Sequence, residues 1–339
     1  MEGLVSREVS PGDRGRAFGS ACAEAVARTV GVYRRLFADA AGLCRDEVLR
    51  LGEQVGIAVS AGWPELVDEI EGLAAGAGHD PRELLAINAR TELLAGTQAR
   101  GECSLVARRG TWLAQTWDWH PDLAGAAIAW TVEHAGGRFT TVTEAGVLAK
   151  LGCNDAGVAC GLNFLTCSED RRTGGMPIHL LLRLVLERCA SASEARALLR
   201  DVRTAASSCI TVAAGDSLFA AELSPGGTRF VSPADDGWLV HTNHFLLPPA
   251  SGSDPTPSVH PGTLERRSRL LEAARDGLAP PDALALHDGR LESVCRHDDG
   301  AGPWHERRAT LLAVWMEPAR RLLRVAPGPP CSTPFEVVW

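Results

Sequence analysis

Residues 98–107, QARGECSLVA, lie where the character of the sequence changes from helical to β-rich. Before this junction, apolar residues recur at the three- and four-residue spacing of amphipathic helices. After it, SLVAR, TWLAQTW, AAIAWTVEH and RFTTVTE are short β-rich runs with turn residues between them. The junction therefore divides the chain into a helical N-terminal segment and a longer β-rich segment that begins at Cys103.

The N-terminal segment is predicted to contain four helices. The apolar spacing places the first two over residues 17–37 and 45–59. A third helix follows Pro64, whose fixed φ suits a first helical turn, and runs to about residue 75. The fourth opens with Asp80 as its N-cap and ends near Gly96.

The β-rich segment is interrupted by helices but does not alternate strictly with them. IHLLLRLVLERCA and SASEARALLRDV are predicted helices that stand between two groups of strands. Residues 246–262 are rich in Pro and Ser and are predicted to form an exposed loop. The sequence TLERRSRLLEAAR after it is a predicted helix, and ATLLAVWMEP and RRLLRVAPG are predicted strands. Clustered strands favour antiparallel sheets covered by helices, an α+β layered domain, over a doubly wound nucleotide-binding fold.

Composition excludes several classes of protein. Among the 339 residues, 45% are hydrophobic and 22% are charged, which is ordinary globular usage and excludes a disordered chain, a collagen and a coiled coil. The sequence has no apolar run of the length that a membrane span needs, and its start lacks a signal-peptide pattern, so we expect a cytoplasmic protein without a membrane partner. The net charge of −8 and the lack of a basic run argue against a nucleic-acid partner.

The ten cysteines give no sequence pattern typical of a metal site. No CxxC pair occurs, so the spacing of a zinc ribbon is missing. Cys153, Cys160 and Cys167 recur every seven residues, but their neighbours read as strand and turn, which would scatter the three thiols. The sequence therefore predicts no metal site, and most of these cysteines are expected to be small buried hydrophobic residues.

Cys103 is the cysteine whose position suggests chemistry. It begins a predicted strand directly behind the short connector QARGE. If the chain were cut before it, its own α-amino group, with an ordinary pKa of about 7.7–8.0, could serve as the general base for the thiol. A cysteine in that position needs no separate histidine.

Several motifs along the chain closely resemble those of one family. ECSLVA, AQTWDWHPDL, GCNDAGVACGLNFL, GMPIHLLLRLVLE and HTNHFL resemble the acyl-coenzyme A:6-aminopenicillanic acid acyltransferase family, the isopenicillin N acyltransferase group of N-terminal nucleophile hydrolases. GWPELVDEIEGLAAGAG and INARTELLAG fit the family's helical pro-segment, and the closing VCRH and ATLLAVWMEPARRLLRVAPGPPC also fit. The resemblance covers essentially the whole chain.

The resemblance implies a four-layer αββα sandwich and a self-cleaving precursor. By this analogy the chain is cut between Glu102 and Cys103 into an α-chain of residues 1–102 and a β-chain of residues 103–339. The two chains stay associated as one structural domain, and Cys103 is both the autoprocessing and the catalytic nucleophile. Better-known members have Gly before the cysteine, whereas this chain has Glu102, which bears on the rate of processing.

The resemblance also implies roles for residues outside the junction. Asp118 matches a family aspartate near the nucleophile, where it could orient the new ammonium group. Asn243 matches the family's oxyanion donor, and Asn163 could contact the nucleophile or the substrate. The family also has an arginine just before the late ATLL strand, for which Arg307 and Arg308 both qualify. Such an arginine would either neutralise charge near the nucleophile or hold a substrate carboxylate. We assign the first, catalytic role to Arg308 and the second role to Arg307.

Two further residues are expected on the substrate side. Trp117 is expected to build a pocket wall, and at Thr116 the better-known family pattern has Asn, so a polar contact to the substrate would differ there. The resemblance implies neither a cofactor nor a metal.

The leading hypothesis is a self-processing amidohydrolase or acyltransferase. Cys103 would take an acyl group from an amide or from an acyl-coenzyme A thioester, and the acyl-Cys103 thioester would pass it to water or to an amine. A first alternative is a conventional Cys–His hydrolase without self-cleavage that uses His179, His241 or His244 as base. A second is a non-catalytic binding protein that keeps the fold. Both alternatives predict an intact chain.

Overall fold

The computed structural model describes residues 1, 3–97, 103–287 and 292–339. Helices make up most of the N-terminal segment and recur in two groups later in the chain. They are α1 (Pro11–Ala21), α2 (Ala23–Asp39), α3 (Arg45–Ser60), α4 (Pro64–Ala77), α5 (Pro81–Asn88), α6 (Arg90–Leu93), α7 (Ile178–Arg188), α8 (Ala192–Asp201), α9 (Thr256–Val259), α10 (Gly262–Arg275) and α11 (Pro280–Leu284). Among these helices, none combines the length and the apolar character that a bilayer crossing demands.

The strands lie almost entirely after the junction at Cys103. They are β1 (Gly3–Ser6), β2 (Leu105–Arg108), β3 (Trp112–Trp119), β4 (Ala127–His134), β5 (Gly137–Glu144), β6 (Leu151–Asn154), β7 (Val158–Phe164), β8 (Ser208–Ala214), β9 (Ser217–Ser224), β10 (Gly227–Val231), β11 (Trp238–His241), β12 (Ala309–Glu317), β13 (Leu322–Ala326) and β14 (Glu336–Val337).

These strands form two sheets. The eight-stranded sheet has the order β1-β4-β5-β6-β7-β8-β9-β10, and the six-stranded sheet has the order β11-β2-β3-β12-β13-β14. Neighbouring strands are antiparallel except for β1 and β4, which are parallel. The clustered strands of the sequence therefore pair as the antiparallel sheets that we predicted.

The sheets pack face to face and carry helices on their outer faces. Strand β3 lies against β7, and β11 lies against β9. Helices α7 and α8 cover the eight-stranded sheet, while α10 and α11 cover the six-stranded sheet. One apolar core joins both sheets to the N-terminal helices, and a second, containing Val106, Val240 and Leu270, lies beneath α10. This is the predicted four-layer αββα sandwich.

The N-terminal helices pack against the layer that contains α7. The Phe18 and Trp130 ring centroids are 4.5 Å apart. Glu69 of α4 accepts hydrogen bonds from Arg14 of α1 at 2.9 and 2.7 Å and from Arg183 of α7 at 3.1 and 2.8 Å, and all three side chains are buried. Because an unpaired buried charge is costly, this ion-pair group holds residues from both sides of the junction together.

Helices α1 and α4 approach each other through glycines. A Cβ atom at Gly72 would lie 2.0 Å from the carbonyl oxygen of Gly12, and one at Gly15 would lie 1.9 Å from that of Glu69. Since backbone atoms cannot move aside as a flexible side chain can, only a residue without Cβ permits this separation of the two helices.

The structure corrects two predicted helices and adds short elements. The single helix predicted over residues 17–37 is wrong, because α1 and α2 meet at Cys22, whose φ of −115° and ψ of 24° are not helical. The helix predicted from Asp80 to near Gly96 is likewise divided at Ala89. Strands β1 and β14 and helices α9 and α11 were not predicted, since elements of two to five residues carry too little periodicity to detect. Helix α9 lies within the predicted loop at 246–262.

Substituting Gly72 by Ala should destabilise the protein. We expect a loss of about 1–3 kcal/mol in the free energy of unfolding, because the added methyl group forces α1 and α4 apart. Gly31→Ala in α2 is the matched control, since a Cβ there meets nothing within 4 Å, and it should stabilise the protein by about 0.5–1 kcal/mol through helix propensity. Urea unfolding measures both variants, and equal midpoints would contradict the prediction.

Candidate active site

Cys103 lies two residues before β2, between the ends of two neighbouring strands. Strand β3 pairs Gln115 with Leu105 and continues past the start of β2, which brings Asp118 beside Cys103. Strand β11 pairs His241 with Leu105 on the other side. The Cys103 thiol is buried, and its Sγ lies 4.0 Å from the backbone carbonyl oxygen of Asp118. The antiparallel register thus brings the predicted motifs together at the ends of neighbouring strands in the six-stranded sheet.

The thiol faces a small cavity between the two sheets. Its volume of about 20 Å³ is enough for roughly one water molecule. The lining residues come from the N-terminal helices and from both sheets: Arg90, Thr91, Leu94, Cys103, Asp118, Trp119, Lys150, Leu162, Phe164 and Ser208. Both sides of the junction therefore contribute to the site.

The carbonyl oxygen of Cys103 is fixed by two side chains. Asn163 of β7 donates to it from Nδ2 at 2.8 Å, and Arg266 of α10 donates from a guanidinium nitrogen at 3.3 Å. Arg266 also donates to the Ser104 hydroxyl at 2.8 Å. Asn163 contacts the backbone of the predicted nucleophile, which is one of the two placements that the sequence left open.

Asn243 is held by the same arginine. Its Oδ1 accepts from Arg266 at 2.9 Å, and its Nδ2 donates to the carbonyl oxygen of Phe164 at 3.0 Å. Its backbone N–H donates to the Thr263 hydroxyl at 2.9 Å. Because Nδ2 carries two hydrogens, a second one remains for another acceptor after the bond to Phe164.

Arg266 is itself balanced by a carboxylate. The guanidinium is buried, and its Nε donates to Glu292 at 3.0 Å. The ion pair balances the charge of the Arg266 guanidinium. Its remaining N–H groups can therefore donate to neutral acceptors.

Asp118 and Thr116 lie on β3 and form hydrogen bonds to different neighbouring strands or segments. The buried Asp118 carboxylate accepts a hydrogen bond from the Thr310 hydroxyl at 2.7 Å through Oδ1. Thr116 accepts from the Ser104 backbone N–H at 3.1 Å through its hydroxyl, and its own N–H donates to the Ser104 carbonyl at 3.0 Å. Thr116 therefore orders the residue that follows Cys103.

The chain's only lysine, Lys150, lines the cavity. It is buried, and its Nζ lies 3.8 Å from the ring centroid of Trp117. Burial, with repulsion from Arg90 as a second cause, lowers the pKa of Lys150 to about 7. Burial raises the pKa of the Cys103 thiol, and the positive charge of Lys150 opposes that rise. Trp117 thus contacts a cavity residue through its ring face, and its predicted role as a pocket wall stays a prediction.

The wall that belongs to the N-terminal helices is an ion-pair network. Arg90 donates to both carboxylate oxygens of Glu144, at 3.2 and 2.8 Å. The Tyr33 hydroxyl donates to Glu144 at 2.7 Å and accepts from the indole N–H of Trp119 at 3.0 Å. The guanidinium of Arg90 lies 5.3 Å from the Trp119 ring centroid, so the indole is fixed by both groups.

The two arginines proposed from the sequence, Arg307 and Arg308, have different surroundings. Arg307 forms an ion pair with Asp298, with Nε 3.0 Å from the carboxylate, in an open cleft that does not include Cys103. Arg308 is buried, donates to the carbonyl oxygen of His305 at 3.0 Å, and lies 5.1 Å from the ring centroid of Trp119. Arg266 donates a hydrogen bond to the Cys103 carbonyl oxygen, and the predicted roles of Arg307 and Arg308 stay predictions.

The three histidines of the Cys–His alternative are engaged away from the thiol. His241 contacts Glu222 at 2.9 Å and the Thr242 carbonyl at 2.8 Å, and although burial disfavours its charge, Cys209 and Glu222 raise its pKa to about 10. Burial lowers the pKa of His244 to about 3 and that of His179 well below its usual range. Within the described part of the chain, the lining of the Cys103 cavity includes no histidine.

Sequence reasoning missed Arg266 and Lys150, although each left a signal. Arg266 shares the buried face of α10 with Leu270, Ala273 and Ala274, so the helical period places an arginine on an apolar stripe. Lys150 is the only lysine in a chain that otherwise uses arginine for its basic residues. Glu102, the other half of the predicted cleavage site, lies outside the described residues.

The four-layer αββα sandwich, with a cysteine two residues before β2, is the arrangement that the resemblance to the N-terminal nucleophile hydrolases implies. Residues 106–325 match the family described as acyl-coenzyme A:6-aminopenicillanic acid acyl-transferase. The 40 kDa form of acyl-coenzyme A:6-aminopenicillanic-acid-acyltransferase from Emericella nidulans is 30% identical over 338 residues, which cover 96% of this chain and 92% of the relative. The chain belongs to the acyl-coenzyme A:6-aminopenicillanic acid acyltransferase family.

Solved structures with a similar arrangement are more distant. The N-acylethanolamine-hydrolyzing acid amidase ortholog of Caenorhabditis elegans has a TM-score of 0.44 and 15% identity, and the match covers 64% of this chain and 92% of that one. Penicillin V acylase from Agrobacterium tumefaciens has a TM-score of 0.35 and 13% identity, with 67% and 74% covered. The family membership, which confirms the resemblance seen in the sequence, supports acyl transfer or amide hydrolysis with small-molecule acyl substrates.

The buried Lys150 should make stability depend on pH. Its pKa is about 7 in the folded chain and about 10.4 when unfolded, so between these values the unfolded chain holds the extra proton and stability rises with pH. Lys150→Met should remove this rise and stabilise the protein below pH 7, by on the order of a few kcal/mol.

Urea unfolding at a series of pH values measures this effect as the difference between variant and wild type. Arg7→Met is the control, because the Arg7 side chain is 71% exposed and pairs only at the surface with Glu133. If Lys150→Met and wild type kept the same pH slope, Lys150 would not be a buried amine with a lowered pKa.

Proposed function

We propose that this protein cuts itself between Glu102 and Cys103 and then uses Cys103 as an N-terminal nucleophile for amide hydrolysis or acyl transfer. The observation that carries the proposal is the buried Cys103 thiol at a cavity, with its carbonyl oxygen fixed by Asn163 and Arg266. The uncut chain is then a zymogen.

The cleavage step is an N→S acyl shift. The Cys103 sulfur attacks the carbonyl carbon of Glu102, the C–N bond breaks, and the nitrogen of Cys103 takes up a proton to become a free amine. Water then hydrolyses the resulting thioester, which releases the Glu102 carboxylate and the Cys103 thiol. The cavity of about 20 Å³ has room for that single water molecule.

The released α-amino group supplies a base on the same residue as the Cys103 thiol. With an ordinary pKa of about 7.7–8.0, it can take the proton of the Cys103 thiol near neutral pH. Asp118, fixed by Thr310, would orient the resulting ammonium group. The positive charge of Lys150 favours the thiolate form of the same sulfur.

Acyl transfer follows in two balanced steps. The thiolate attacks the substrate carbonyl, and the leaving amine or thiol departs with the proton held by the α-ammonium group. Water or an acceptor amine then attacks the carbonyl carbon of the acyl-Cys103 thioester and gives up a proton to the α-amino group. The C–S bond breaks, and that proton passes to the sulfur, which restores the Cys103 thiol. Asn243, oriented through Oδ1 by Arg266, would donate its free Nδ2 hydrogen to the oxyanion in both steps.

The substrate is a small acyl amide or an acyl-coenzyme A, and it requires the cavity to widen after cleavage. The α- and β-chains are expected to stay associated. The buried pairs Arg90–Glu144 and Glu69–Arg183 each join a residue before the cut to one after it, which supports that association.

Cys103→Ala should remain one polypeptide, whereas the wild type should yield two with a new N-terminus at Cys103. The reason is that the variant lacks the only atom that can accept the acyl group of Glu102. Intact mass spectrometry under denaturing conditions makes the measurement, with Cys160→Ala as a control because Cys160 is another buried thiol on a central strand.

The same samples are assayed for thiol-dependent turnover of acyl amides and thioesters. A chain that stays whole in wild type after prolonged incubation and still turns over substrate supports the Cys–His alternative. A whole chain without turnover supports the binding-protein alternative. Either result overturns self-processing.

Arg266→Gln should slow both cleavage and turnover, by roughly 100-fold or more, because the amide cannot hold Ser104, Asn243 and the Cys103 carbonyl together. The loss should fall on kcat and leave KM little changed, since the oxyanion donor acts in the transition state. Arg275→Gln on the same helix is the control, because Arg275 pairs at the surface with Asp236. A loss confined to thermal stability, with kcat unchanged, would refute the positioning role.

A further inference from the structure

Four potential metal ligands from three separate parts of the chain converge beside β12. They are His287, which follows α11, Cys295 and His297, which precede β12, and Cys331, which lies between β13 and β14. The side-chain nitrogen or sulfur atoms of these residues all lie within 4.8 Å of one another. The cluster (His287, Cys295, His297 and Cys331) is distinct from the cavity at Cys103.

The distances from His297 to the other three residues are close to the spacing of a tetrahedral ligand set. His297 Nε2 lies 3.0 Å from His287 Nε2, 3.3 Å from Cys331 Sγ and 3.8 Å from Cys295 Sγ. Zinc bonds of about 2.0–2.1 Å to nitrogen and 2.3 Å to sulfur separate neighbouring ligand atoms by roughly 3.3–3.8 Å in a tetrahedron. Small adjustments of the side chains would therefore place all four atoms around one ion.

Hydrogen bonding alone does not explain this arrangement. A ring nitrogen of histidine is either one donor or one acceptor, yet His297 Nε2 is approached by three polar atoms at once. A cation at the centre would accept a lone pair from each of the four ligand atoms and remove the conflict.

We propose that His287, Cys295, His297 and Cys331 bind one Zn²⁺ ion as a Cys₂His₂ site. Thiolate and imidazole ligands select zinc over magnesium and calcium, which prefer oxygen. Four protein ligands fill the tetrahedron, so the site would be structural and would leave no position for substrate. Two thiols release their protons on binding, and the two thiolate charges balance the ion.

The site would fix a segment that supports the candidate active site. Arg296 lies between two ligands, and its N–H donates at 2.8 Å to the Thr310 hydroxyl, which in turn donates to Asp118. The Arg296 side chain lies 3.2 Å from Glu292, the partner of Arg266. The binding of zinc does not rest on the proposed function. The role of the zinc-bound segment in positioning Asp118 and Arg266 for catalysis does rest on it.

The metal content of the full chain, purified under reducing conditions, tests the proposal. We expect about one zinc per chain by elemental mass spectrometry, and a Co²⁺-exchanged sample should show the absorption of tetrahedral thiolate coordination. Cys331→Ser and His287→Gln should weaken zinc binding by at least about 100-fold, since removal of an outer-shell partner alone costs 10- to 100-fold. Both residues are exposed, so neither substitution threatens the core.

Cys44→Ser is the matched control, because Cys44 is also an exposed free cysteine but lies at the start of α3, outside the cluster. It should keep the zinc content of the wild type. Circular dichroism on each variant separates loss of metal from loss of fold.

Two results would overturn the proposal. One is a wild-type chain without zinc whose Co²⁺ spectrum lacks thiolate coordination, including a chain in which mass spectrometry shows a Cys295–Cys331 disulfide instead. The other is a Cys331→Ser or His287→Gln variant that binds zinc as tightly as Cys44→Ser. Failure of self-cleavage would leave the zinc measurement unaffected, so the two proposals are distinguishable.

Discussion

The buried guanidinium of Arg266 connects the parts of the site that are far apart in the sequence. From α10 it donates hydrogen bonds to the Cys103 carbonyl, the Ser104 hydroxyl and the Asn243 amide, and Glu292 balances its charge. Because a buried charge that loses its partners costs several kcal/mol, these groups are held in one arrangement. The start of β2 and the end of β11 are therefore aligned by a helix from the outer layer.

The interior around the cavity is more highly charged than stability alone would favour. Lys150 is buried against Trp117, and Arg90, which also lines the cavity, is paired with the buried Glu144. Replacing buried ionic groups by apolar residues of similar volume is often neutral or stabilising, so their presence needs another reason. Electrostatic interactions act most strongly where water is excluded, and a reaction at the Cys103 sulfur would use that strength.

The site depends on several separate parts of the fold. The N-terminal helices provide Arg90, the eight-stranded sheet provides Asn163, and the segment before β12 provides Glu292. Family membership supports the reaction class, acyl transfer or amide hydrolysis. The acyl group and its acceptor depend on the cavity side chains, because proteins of one fold act on many substrates.

The sequence alone determined the layered class and the family, as well as most of the long helices and strands. Periodicity is a local property, so it predicted α3 and α4, whose apolar faces repeat without interruption. It failed where the apolar repeat continued through a break, as at Cys22 between α1 and α2. The motifs also pointed to Cys103, Asp118, Asn163 and Asn243. In the structure Asp118 and Asn163 contact Cys103, and Asn243 accepts from the arginine that also contacts Cys103.

Only the tertiary structure showed that Arg266 contacts Cys103 and which cysteines lie together. Arg307 and Arg308 were chosen by their position in the sequence, whereas Arg266 reaches the Cys103 carbonyl because α10 packs across β2 and β11. The sequence likewise predicted no metal site, because the ligand spacing of Cys295 and Cys331 matches no local motif. Their convergence with His287 and His297 depends on long-range packing, which brings together residues that sequence spacing cannot relate.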